Sequence, residues 1–99
     1  MSCLHIVNKS PFDHQALQQC LSAIDSSDAV ILIEDAVYAA SISYFDNTHT
    51  NFNFTENIFV LESDLDARGI NQVSQKIEKI DYAGFVKLVA EYQNSLSWF

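Results

Sequence analysis

The chain has 99 residues, 13 of them acidic against five basic, for a net charge of −8 at pH 7, with 48% hydrophobic and 18% charged positions. That predicts one domain over residues 1–99 with one core, too apolar for disorder or coiled coil. It is also too acidic for a nucleic-acid or anionic-membrane surface, because phosphate binding rests on Lys and Arg.

The first predicted element is a short strand, Cys3-Leu4-His5-Ile6-Val7, ending at Asn8-Lys9-Ser10-Pro11. Ser10 is placed to cap a helix with Pro11 at its first position, where the missing N–H costs nothing. Leu17, Leu21 and Ile24 share one face of that helix, with Phe12 near its start. The polar turn Asp25-Ser26-Ser27-Asp28 precedes a second strand, Ala29-Val30-Ile31-Leu32-Ile33. This strand is apolar on both faces, as a central parallel strand is. Glu34-Asp35 ends it, and Ala36-Val37-Tyr38-Ala39-Ala40 reads as a helix start. Residues 46–57, rich in Asn and Thr, read as a loop.

Ile58-Phe59-Val60-Leu61 is the third strand. Ser63 with Asp66 three positions on reads as a cap, and Gly69 closes a helix of one to two turns. A fourth strand around Ile77–Ile80 leads to Asp81, a second cap. The last helix places Tyr82, Phe85, Val86 and Val89 on one face. The tail Leu96-Ser97-Trp98-Phe99 is apolar. Strands alternating with helices predict an α/β domain, a three-layer α/β/α arrangement with a mainly parallel sheet of four to five strands.

Chemistry is sparsely signalled. Gly69 and Gly84 are the two glycines, so no dinucleotide fingerprint or Walker loop exists. A phosphate turn would have to be built from Asn8-Lys9-Ser10. His5, His14 and His49 lack metal-ligand spacing, and no cofactor is expected. Glu34 and Asp35 stand where α/β sheets place ligands, at the carboxyl end of a central strand, although an Asp before a helix is also an ordinary cap. Cys3 reads as a small buried hydrophobe. Cys20 lies about 60° from the centre of the first helix's apolar stripe. That shoulder can leave a sulfur partly accessible, but no local cation or helix N-terminus favours thiolate, so a packing role is favoured and a nucleophile would need activation from elsewhere in the fold or from a partner.

The chain shows no membrane-length apolar run and no export signal, and its two cysteines form no paired motif. A cytoplasmic setting is expected. With 12% aromatic residues in so small a domain, apolar surface is predicted to be covered by partners.

Several ordered segments resemble the DsrH/TusB family: Leu4-His5, Asn8-Lys9-Ser10-Pro11-Phe12, Cys20-Leu21 and Glu34-Asp35-Ala36-Val37-Tyr38-Ala39-Ala40. Leu65-Asp66-Ala67-Arg68-Gly69, Ile80-Asp81-Tyr82-Ala83-Gly84-Phe85-Val86 and the terminal Trp98 extend the likeness, which weakens between Ile42 and Asn57. The resemblance implies the smallest subunit of a sulfur-relay complex, built with TusC/DsrF-like and TusD/DsrE-like chains as a dimer of heterotrimers. In one branch, TusBCD, a persulfide passes to a TusE-like carrier for 2-thiolation of the tRNA wobble uridine. In the other, DsrEFH, sulfur is oxidised and the carrier is DsrC-like. In both, the principal sulfur-carrying cysteine belongs to the D/E-type subunit. Cys20 matches a position that DsrH-like chains share, which makes it a candidate auxiliary persulfide carrier. Trp98 and Phe99 are candidate interface anchors. A reading from another class is a small-molecule-binding α/β module without sulfur chemistry.

Overall fold

The computed structural model describes residues 3–12, 15–24, 27–42 and 57–98. The loop expected over 46–57 (Asn57 apart), His14, His49 and Phe99 lie outside the described residues, as does the side chain of Leu21. The elements run β1 (Cys3–Val7), α1 (Ala16–Ala23), β2 (Ala29–Leu32), a 3-10 helix (Glu34–Ala40), β3 (Ile58–Leu61), α2 (Glu62–Ala67), β4 (Glu78–Ile80), α3 (Tyr82–Glu91) and β5 (Asn94–Trp98).

The five strands form one sheet in the order β4-β3-β2-β1-β5, and each neighbouring pair is parallel. This order dictates the layers. From β1 to β4 the chain steps outward in one direction, so right-handed crossovers put α1, the 3-10 helix and α2 on one face. The return from β4 to β5 runs the other way across the sheet, which places α3 on the opposite face. The packing agrees. Val7, Val30, Leu32, Ile58 and Val60 pack with α1, the 3-10 helix and α2, whereas Leu4, Ala29 and Ile31 pack with Phe85, Leu88 and Tyr92. Strand β2 is buried on both faces, as its unbroken apolar run requires. Each fully buried Val, Leu or Ile contributes about 1.5–3 kcal/mol.

Four local expectations are corrected. Ser10 does not cap α1: its Oγ accepts from the Phe12 N–H at 3.2 Å, in a local turn at Pro11. The described helix starts at Ala16, after Gln15, with no side-chain cap. Ser63 does not cap α2 either, because β3 runs straight into a helix that starts at Glu62. Its end is as expected. Gly69 takes φ +67°, its N–H bonds Asp66, and the Ile70 N–H reaches back to Leu65.

The apolar face of α3 is turned from the one expected. Asp81 caps it, accepting from the Gly84 N–H at 2.8 Å. Gly84 lies so close to β4 that a Cβ there would stand 3.1 Å from Ile80 Cβ. That contact aims Phe85 and Leu88 at the sheet and leaves Tyr82, Val86 and Val89 exposed at 67%, 53% and 42%. Lastly, the tail is an edge strand paired with β1, with Val7 opposite Trp98.

Candidate functional site

The carboxyl end of β2 carries the acidic pair. Glu34 leaves the strand at φ +51°, a left-handed conformation unusual for a residue with a side chain. Its N–H donates to Asp64 Oδ2 at 2.7 Å, so α2 supplies the acceptor that holds the turn. Asp35 caps nothing. Its Oδ1 accepts from Arg68 Nε at 3.0 Å and Nη2 at 2.9 Å, and Arg68 Nη1 also donates to the Asp64 carbonyl. Glu34 and Asp35 are thus brought together with Asp64 and Arg68 in a network that fixes the 3-10 helix against α2.

The Ser10 hydroxyl accepts from Phe12, and the buried Asn8 Oδ1 has no hydrogen-bond partner among the described residues. Among the described residues, no group of three or more His, Cys, Asp or Glu is arranged to hold a metal ion.

The fold closes the access that the shoulder position of Cys20 could leave. Its exposure is 0%, and it packs with Val7, Leu17, Val30 and the small residues of the 3-10 helix. Ala36, Ala39 and Ala40 let that helix approach closely, so the shoulder of the stripe is covered. Burial pushes the Cys20 thiol from 9.0 up to about 12, with Cys3 and Asp28 adding to the effect. Cys3, half-buried at the start of β1, is also raised by burial and then by Asp28. Both thiols are free, and among the described residues neither faces a cation that would favour thiolate.

A further cluster was not legible in the sequence. His5, on β1, places Nε2 3.0 Å from Asp28 Oδ2, just before β2. Asp28 Oδ1 accepts from the Cys3 N–H at 3.0 Å, and Trp98 Nε1 donates to His5 Nδ1 at 3.0 Å. Both His5 and Asp28 are buried, at 5% and 8% exposure. Trp98, expected as an interface anchor, is half-buried and packs against the core on the α1 side. The one available signal was an Asp directly ahead of a buried strand.

Comparison with known proteins follows the same outline. The family described as DsrH like protein matches residues 9–95. Protein TusB of Pectobacterium parmentieri is 35% identical over 96 residues, covering 96% of this chain and 99% of that protein. Protein TusB of Yersinia enterocolitica is 33% identical over the same shares. The crystal structure of the ychN protein from E. coli superposes with a TM-score of 0.75 at 18% identity, covering 99% of this chain and 100% of that one. That last likeness is one of fold.

Proposed function

This chain belongs to the DsrH-like protein family, and from that membership we propose that it is a subunit of a cytoplasmic sulfur-relay complex of TusBCD type, acting in 2-thiolation of the tRNA wobble uridine. The observation that carries the reading is the 35% identity to a Protein TusB over 96% of this chain. The partners are two related α/β subunits, TusC-like and TusD-like, with sulfur leaving through a TusE-like carrier. A net charge of −8 supports a place upstream of the tRNA rather than on it. The surfaces assigned to partner contact are the outer side of α3, with Tyr82, Val86 and Val89, and the C-terminal edge carrying Leu96, Trp98 and, from the sequence, Phe99.

Within the complex, Cys20 is assigned to packing. A fully buried thiol raised to about 12 holds almost no thiolate at neutral pH, and thiolate is the species that attacks a persulfide. Its alternative role, auxiliary persulfide carrier, requires α1 to move away from the sheet and uncover Sγ. The test is sulfur transfer by the purified complex after loading with a sulfur donor. Transfer is expected, with no gain of about 32 Da on the Cys20 peptide and with the Cys20→Ser complex within about two-fold of wild type. A persulfide on Cys20, or a large loss in the variant, would move sulfur carriage onto this chain. An assembly that moves no sulfur would overturn the relay reading itself.

A further inference from the structure

The buried chain Asp28–His5–Trp98 carries an inference independent of sulfur transfer. An indole N–H can only donate a hydrogen bond. Trp98 Nε1, 3.0 Å from His5 Nδ1, therefore requires a lone pair on Nδ1. The proton of the neutral ring then sits on Nε2 and donates to Asp28 Oδ2, 3.0 Å away. The geometry admits one tautomer of the neutral ring, and each ring nitrogen has its own partner. Because His5 and Asp28 are buried, a lost partner is not replaced by water without cost.

We propose that these three side chains form a proton-sensitive latch on the C-terminal strand: neutral His5 holds Trp98, and protonation of His5 at Nδ1 releases it. The incoming proton takes the Nδ1 lone pair, so the Trp98 N–H···N bond breaks and two N–H groups face each other. The Nε2–H···Oδ2 bond stays and becomes an ion pair. Acid therefore strengthens the His5–Asp28 arm and removes the arm that reaches β5.

The competing influences can be named among the described residues. Asp28, ahead of β2, faces Nε2, and the Trp98 N–H from β5 faces Nδ1. Cys3 on β1 and Cys20 on α1 lie near Asp28 as protonated thiols, and Asp28 also acts on Tyr92 beyond α3. The strand is suited to release. Among the described residues it is an edge strand that pairs with β1 alone, and it is exposed from Asn94 to Ser97, so half-buried Trp98 is its most covered residue.

The test is NMR of the full chain between about pH 8 and about pH 5, reading the imidazole nitrogens, the Trp98 indole N–H and amide exchange in β5. At the upper end the ring is expected as the Nε2–H tautomer. As Nδ1 takes up its proton, β5 amides near Trp98 should lose about five-fold in protection, in one single-proton step, while β2 and β3 keep theirs. In Trp98→Phe the donor is gone, so β5 protection should sit at the acid level throughout and the step should vanish. An Nδ1–H tautomer, a ring that stays neutral to about pH 5, β5 protection indifferent to ring protonation, or an equal step in Trp98→Phe would each overturn the latch.

Discussion

Trp98 Nε1 donates to His5 Nδ1 across 3.0 Å, joining two residues 93 positions apart. The bond closes the sheet at its β5 edge, beside the backbone pairing to β1 and the packing of Trp98 on the α1 side. Removing the donor while keeping an aromatic ring leaves a buried acceptor unpaired. Trp98→Phe is therefore expected to destabilise the fold by about 1–3 kcal/mol, read from urea denaturation. An unchanged midpoint would mean that this bond contributes nothing.

Cys20 makes stability depend on alkaline pH. Its thiol is raised in the folded chain from 9.0 to about 12, so the unfolded chain releases its proton first. The contribution is fully present below the ordinary thiol value and is lost as pH rises from about 9 towards about 12. Unfolding curves taken along that range should fall more steeply for wild type than for Cys20→Ala. A thiol reagent at neutral pH should leave Cys20 unmodified until the chain is unfolded.

Glu34 stores backbone strain at φ +51°. Glycine adopts that conformation freely, so Glu34→Gly is expected to be neutral or stabilising by up to about 1 kcal/mol, against a loss for the β-branched Glu34→Val. Asp64→Ala removes the acceptor of the Glu34 N–H and should destabilise by about 1–2 kcal/mol. Arg68→Ala should cost less than about 1 kcal/mol, because the Asp35 side chain it pairs with is 60% exposed. Thermal denaturation of the four variants orders these effects.

Asp81 holds the start of α3 through the Gly84 N–H. Asp81→Ala should cost about 1 kcal/mol, and Asp81→Ser should recover most of it, because a hydroxyl also caps. Equal losses in the two variants would place the effect elsewhere.

Strands β1 to β3 were legible because burial on both faces imposes continuous apolar runs, and the Asp81 cap because its chemistry is local. Strand β5 was read as an apolar tail. As an exposed edge, Asn94-Ser95-Leu96-Ser97 needs little apolar patterning, and its pairing with β1 spans the whole chain. Non-local contact also hid the latch: Asp28 reads as a turn residue until β1 is laid beside β2. That no access to Cys20 remains is not readable from the sequence for a related reason. A helical wheel shows where a stripe is centred but not how closely Ala36, Ala39 and Ala40 let a neighbouring element approach. Apolar residues all around α3 make the Tyr82–Val86–Val89 side look like the buried one, and the approach of Gly84 to Ile80 turns Phe85 and Leu88 inward instead.

Subunit membership in a sulfur relay is tested most directly by native mass spectrometry of the tagged chain purified from its own host. An equimolar assembly with two other small α/β chains is expected, and their identities distinguish thiolation of tRNA from sulfur oxidation. A monomer or a homo-oligomer without such partners would contradict the relay assignment.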